Sequence, residues 1–142
     1  MAQRGSHVMD VDHRQNALLL ARGRAVNGLV MLAAPGLVGR LLFGKQGSQP
    51  VTKALVRLVG IRDVILGVGA ITTVKEHTMD AEWVGMGAVA DAVDGVVALA
   101  ATGLPARSRL IAVVGGAAAV VGMLAARGLA DERAAAVSEI DS

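Results

Sequence analysis

Long apolar stretches alternate with short polar ones along the chain, and this pattern predicts four helices long enough to cross a membrane. A spanning helix needs about 20 apolar residues. We therefore predict spans at residues 24–43, 52–74, 81–104 and 108–129. Pro35 is expected to kink the first span, because proline cannot continue a helix without strain. Residues 12–23 are expected to form an amphipathic lead-in at the membrane interface.

The polar segments between the spans are short, which predicts tight connections and a single bundle. Pro50 suits the start of the second helix, and Asp80 is placed to cap the third. Phe43 and Trp83 fall at helix ends, at the depth where aromatic rings lie at membrane interfaces. The predicted organisation is a polar tail at 1–11, a bundle at 12–130 and a second polar tail at 131–142.

Composition supports the membrane prediction. Hydrophobic residues make up 54% of the chain, and charged residues only 18%, against about 25% in an average soluble domain. The 18 glycines, with Phe43 and Trp83 as the only aromatic residues, are typical of helices that pack closely in lipid. The predicted fold class is an all-α, four-helix transmembrane bundle with short loops, located in the plasma membrane as a multi-pass protein. A soluble helical bundle is the alternative.

Charge and cysteine content exclude several classes of function. The chain has no cysteine, so it has no disulfides and no thiolate metal site. Its Lys and Arg residues are scattered and form no stripe for nucleic-acid binding. They are also nearly balanced between the two predicted sides of the membrane, so they leave the orientation open. The expected partners are the lipid bilayer and a homo-oligomer or larger membrane complex, with no nucleic acid.

Two carboxylates in the third span, Asp91 and Asp94, lie one helical turn apart. An ionised side chain at the centre of a bilayer costs about 2.5 to 3.5 kcal/mol, so this pair requires partners. Arginine suits that role because it stays charged and binds carboxylates through two parallel hydrogen bonds. The predicted network balances three arginines with three aspartates and includes one asparagine: Arg24, Asn27, Arg57, Arg62, Asp63, Asp91 and Asp94.

Small residues recur at helical spacing on the same faces as these acids. Such stripes predict close contacts between membrane helices. The predicted packing residues are Gly60 and Gly67 in the second span, Gly87 in the third, and Gly115, Ala119 and Gly122 in the fourth.

One enzyme family has a motif similar to the centre of the third span. Asp91-x-x-Asp94-Gly95-x-x-Ala98 resembles the first half of the motif D-x-x-D-G-x-x-A-R of membrane CDP-alcohol phosphotransferases. The resemblance stops at Leu99, and the motif's downstream glycine and aspartates fall on Ser108, Ala112 and Gly116. Two carboxylates alone hold divalent cations poorly.

We therefore predict no catalytic residues, no metal and no cofactor. His7 and His13, with Asp10 and Asp12 between them, are the other candidate chelators, and we expect them to be solvated.

A closer similarity rests on Arg57-Leu-Val-Gly-Ile-Arg-Asp63 followed by Leu66-Gly67, together with the Asp-x-x-Asp of the third span. These motifs resemble a family of small four-span membrane proteins of actinobacteria, a domain-of-unknown-function family. The resemblance covers roughly residues 20 to 128 and implies a four-helix fold, with nothing about activity.

Two functional hypotheses follow from the charged residues. In the first, the network is closed, and the chain is a non-catalytic accessory or structural membrane subunit. In the second, one intramembrane aspartate is spare, and the chain handles protons or a small solute as transporters do. Asp94 is the expected spare carboxylate, because the adjacent Gly95 leaves room for water.

Overall fold

The computed structural model describes residues 13–101, 103 and 106–140, and these residues form helices joined by short turns, without strands. The all-α prediction is therefore confirmed. The predicted tail at 1–11, with His7 and Asp10, lies outside the described residues, as does Asp12. The elements are α1 (His13–Ala33), α2 (Pro35–Phe43), a 3-10 helix (Gly44–Ser48), α3 (Pro50–Glu76), α4 (Asp80–Ala100) and α5 (Ala106–Ile140).

The four long helices pack in a closed ring. α1 contacts α3 and α5, and α4 contacts α3 and α5, so each long helix has two principal neighbours. The core between them consists of small residues, including Ala17, Ala21 and Ala70, with Val74 and Leu129 as the largest fully buried side chains. Because so little side-chain volume separates the helices, their backbones approach closely.

The helix breaks at Pro35, the residue expected to kink the first predicted span. α1 ends at Ala33, and the segment from Pro35 to Ser48 leaves it at an angle of 102°. Proline lacks the N–H for the helical hydrogen bond and clashes with the preceding turn, and here it begins α2. α1 instead extends back to His13, and the predicted interfacial lead-in is part of the core, with Ala17 only 1% exposed.

The turn between α3 and α4 differs from the prediction that Asp80 caps a helix. Met79 occupies the N-cap position and its side chain makes no capping hydrogen bond, while Asp80 Oδ1 accepts a hydrogen bond from the backbone N–H of Ala81 at 3.0 Å. Asp80 is the first residue of α4 and is only 3% exposed. Its carboxylate is directed into the bundle because it has charged partners on α1 and α5, described below.

The last helix continues beyond its predicted end at Leu129. α5 is a single helix of 35 residues that ends at Ile140, so the predicted polar tail from residue 131 begins inside it. Leu129 is almost fully buried, and Arg133 contacts acids at the start of α4. These contacts hold the last turns of α5 against the bundle.

Two of the described helices are long and apolar enough to cross a membrane, α4 and residues Ala112–Ile140 of α5. α1 and its bent continuation are a third candidate when the broken pair is counted as one span. α3 is not among these candidates, because every 18-residue stretch of it includes more than two charged residues, for example Arg57, Arg62 and Asp63. The outward faces of all four long helices nevertheless carry exposed apolar side chains, among them Leu19, Leu58, Val96 and Val120.

Candidate functional site

A close crossing of α1 and α3 sets the position of the charged residues. A Cβ atom on Gly28 would lie 2.6 Å from the carbonyl oxygen of Gly60, and one on Gly60 would lie 2.9 Å from the carbonyl oxygen of Gly28. A Cβ atom on Gly67 would likewise lie 2.7 Å from the carbonyl oxygen of Ala21. Only glycine permits this approach, which brings the faces that carry Arg24 and Asp63 together.

Arg24 connects three helices through one guanidinium group. Its Nη1 lies 3.5 Å from Oδ1 of Asp63 on α3. Its Nη2 donates to the carbonyl oxygen of Gly87 at 2.8 Å and to Oδ2 of Asp91, both on α4. Gly87 makes room for this contact, because a Cβ atom there would lie 3.2 Å from the guanidinium nitrogens.

Asp63 is the most enclosed carboxylate in this region, with a side chain only 7% exposed. Besides Arg24, it accepts hydrogen bonds from Arg62 Nη2 at 3.0 Å and from Asn27 Nδ2 at 3.3 Å. Arg62 also binds Asp94 of α4 through two parallel hydrogen bonds. We call this set the central network: Arg24, Asn27, Arg62, Asp63, Asp91 and Asp94.

Arg57 does not join the central network. The network therefore lacks one of the three arginines that were predicted to balance its three aspartates. Its side chain is exposed, and no described residue pairs with it. Arg57 precedes Asp63 by six positions, which is about 240° around a helix, so the two side chains leave α3 in different directions. The network therefore joins two guanidinium groups to three carboxylates and carries one net negative charge.

A cavity of about 550 Å³ lies between α1, α3, α4 and α5 and reaches the central network. Arg24, Asn27, Asp63 and Asp91 form its polar wall. The remaining lining is mainly apolar and includes Leu19, Leu20, Leu66, Trp83, Val84 and Val114. Asp94 does not line it, so the acid expected to be spare is the one bound most fully by an arginine, while Asp91 borders the open space.

The packing stripe predicted in the fourth span is only partly present. Gly122 contacts α4, since a Cβ atom there would lie 3.1 Å from the Cβ of Ala88, and Ala119 is buried. Gly115 makes no such contact, because no atom of another helix lies within 4 Å of its Cβ position. It lines the cavity instead. Helical spacing put these residues on one face, but the cavity separates part of that face from its neighbours.

A second group of charges at the other end of α4 was missed by the sequence analysis. The Asp80 carboxylate binds Arg14 of α1 at 3.3 Å and Arg133 of α5 at 2.7 Å. Arg133 also pairs with Glu82, and Arg14 lies 3.8 Å from Glu132. We call these five residues the end cluster. The alanine-rich stretch after Leu129 favours a continued helix, and that signal could have placed Arg133 within reach of α4.

No group of three or more His, Cys, Asp or Glu in the described part of the chain could hold a metal ion. His13 packs its ring against Gly128 of α5. Comparisons of the chain with protein-family models, with curated proteins and with solved structures found no match.

Proposed function

We propose that this chain is a non-catalytic accessory or structural subunit of the plasma membrane, in which four helices cross the bilayer around the central network. The observation that carries the proposal is the pairing of all three network carboxylates with arginines across α1, α3 and α4. Among the described residues, every buried side-chain nitrogen and oxygen has a hydrogen-bond partner. Carboxylates held by arginines in this way serve helix packing better than acid–base chemistry, which needs a free acid or base.

The lengths and faces of the helices support four spans. α1 and α4 have 21 residues each, which is about 31 Å of helix and matches a hydrocarbon core of about 30 Å. Two of the charges that exclude α3 by composition alone, Arg62 and Asp63, are directed at partners on α1 and α4. Charged residues within membrane helices commonly face the bundle interior and pair in this way.

Arg22 supports a role as a subunit of a larger assembly. It lies near the middle of α1, its side chain is exposed, and no described residue pairs with it. Lipid tails offer no acceptor to a guanidinium group at that depth, whereas a carboxylate on a partner subunit or a second copy would. We therefore place the proposed partner contact on the outward face of α1.

Topology can be tested with single cysteines, because the natural chain has none. Ser6→Cys, Lys45→Cys, Thr78→Cys and Gly103→Cys would each be labelled in intact cells with a membrane-impermeant maleimide. Four spans place Lys45 and Gly103 on one side and Ser6 and Thr78 on the other. If only α4 and α5 cross, Lys45 and Thr78 will label from the same side, and the four-span proposal is wrong.

The structural role of the network can be tested by charge rescue. Arg24→Gln leaves Asp63 and Asp91 less compensated and should reduce the yield of folded protein, because an unpaired buried charge costs about 3 to 5 kcal/mol. Adding Asp91→Asn should restore part of the yield. Arg57→Gln is the matched control, since Arg57 is outside the network. No rescue by the double change, with normal behaviour of the control, would contradict a closed structural network.

The second candidate function is the handling of a proton or small solute through an intramembrane aspartate. The cavity favours it, because open space of about 550 Å³ reaches Asp91 between the helices. Pockets that bind small molecules have this size and this mixture of an apolar lining with a few polar groups.

A further inference from the structure

We propose that the cavity binds a small organic monocation with an apolar body, and that Asp91 supplies the carboxylate that recognises it. This inference rests on the second candidate function and names its ligand class. It is carried by the geometry of the cavity, the charge of its polar wall and the position of its opening.

The polar wall of the cavity has an uncompensated negative charge. Arg24 is opposed there by Asp63 and Asp91, and including Arg62 and Asp94 leaves the same excess of one carboxylate. α5, which forms the opposite wall, has no charged residue between Arg109 and Arg127. A negative charge facing a low-dielectric space attracts a single positive charge and repels anions.

Asp91 is the acid that retains binding capacity. Asp63 uses both oxygens, one toward the two arginines and one toward Asn27, and Asp94 uses both with Arg62. Asp91 receives Arg24 on Oδ2, and no described residue donates to its Oδ1. Its side chain is 22% exposed and borders the cavity. A carboxylate has room for several donors, so Asp91 can accept a ligand without releasing Arg24.

The rest of the lining selects an organic cation over a metal ion. A hard cation such as Mg²⁺ or Ca²⁺ needs six or more oxygen ligands, and the walls away from the central network consist of alanine, glycine, leucine and valine with one indole. These side chains suit an apolar body. Trp83 adds an aromatic surface of the kind that attracts organic cations.

The opening of the cavity lies on the side of the bundle, between α1 and α5. Gly23 and Gly115 line the cavity, and at both the Cβ position has no atom of another element within 4 Å. Leu19 and Val114 beside them are 58% and 62% exposed. In a spanning bundle this opening faces lipid, so a ligand that enters must be soluble in acyl chains as well as positively charged.

Binding is tested with tetraphenylphosphonium and its isosteric anion tetraphenylborate, by equilibrium dialysis against the purified full-length chain in detergent micelles. The two probes have the same shape and opposite charge, so their difference reports the charge of the site. We expect saturable binding of the phosphonium, near one per chain, and none of the borate. Equal binding of both ions, or no saturable binding of the phosphonium, overturns the proposal.

Two variants locate the site. Asp91→Asn should weaken phosphonium binding by about tenfold or more, since it removes the excess charge. Asp131→Asn removes the same charge from the exposed surface of α5 and should leave binding unchanged. Gly115→Leu should abolish binding by filling the cavity, and it keeps the test decisive if Asp91→Asn does not fold.

Wild-type affinity in the Gly115→Leu variant would overturn the proposal whatever Asp91→Asn does. A failure of this ligand inference can be distinguished from a failure of the proposed function. Loss of the four-span topology in the cysteine experiment contradicts the membrane assignment, whereas correct topology without phosphonium binding contradicts only the ligand inference.

Discussion

Arg62 binds Asp94 through two parallel hydrogen bonds, Nη1 to Oδ1 at 2.9 Å and Nη2 to Oδ2 at 2.6 Å. This bidentate geometry is the strongest that a guanidinium and a carboxylate can form. It joins α3 to α4 and uses both oxygens of Asp94. Asp94 is therefore not the spare carboxylate that its neighbour Gly95 led us to expect. The less fully bound acid is Asp91.

Burial should separate the effects of neutralising Asp63 and Asp94. Asp63→Asn removes a 7% exposed carboxylate and leaves two arginines without their shared partner, which should cost about 3 to 5 kcal/mol. Asp94→Asn should cost less, since that side chain is 47% exposed and Arg62 keeps Asp63 as a second partner. Thermal unfolding in detergent measures both, and equal losses would show that burial does not govern this network.

Gly60 and Gly115 should respond in opposite ways to alanine. Both are helical, so alanine adds up to about 1 kcal/mol of helix propensity at either position. At Gly60 the new methyl group would lie 2.9 Å from the carbonyl oxygen of Gly28, and the clash should cost about 1 to 3 kcal/mol. Gly115→Ala should be neutral or stabilising, because its Cβ position is open. Thermal melts of the two variants test the assignment of packing face and cavity wall.

The end cluster should hold the last turns of α5. Arg133→Gln removes one of the two arginines bound to the buried Asp80 and should destabilise the bundle by about 1 to 3 kcal/mol. Amide exchange should then accelerate in residues 130–140. Arg127→Gln is the control, because Arg127 is exposed on the same helix and no described residue pairs with it. Similar exchange in both variants would mean that Arg133 does not anchor α5.

The turn between α3 and α4 stores backbone strain that glycine can relieve. His77 has φ of 56° at the C-cap of α3, a left-handed conformation that costs most residues about 1 to 2 kcal/mol. His77→Gly should raise the free energy of unfolding by up to about 1 kcal/mol, after the added entropy of the unfolded chain is subtracted. Thr78→Gly, at a neighbouring position without positive φ, should be neutral or destabilising. Chemical denaturation of both variants provides the comparison.

The stripe on α3 was predictable because helical periodicity is a local property. Gly60, Asp63 and Gly67 were expected on one face, and all three are buried in the structure. The same reasoning paired intramembrane acids with arginines, because a charge in an apolar segment requires a counter-charge wherever the helices lie. Helical spacing could not predict which arginines pair with the acids. Spacing alone does not say that Arg62 reaches α4 while Arg57 is directed away from the network.

The helical content, the small-residue faces and the need for buried ion pairs were predictable, since each follows from side-chain size, polarity and spacing within one segment. Three features became visible only in the packed bundle: the 102° bend at Pro35, the ion pair of Arg133 with Asp80, and the position of Gly115 on a cavity wall instead of a helix contact. These features depend on how far each helix is rotated and displaced against the next. That arrangement results from the sum of many contacts distant in sequence, so no single segment encodes it.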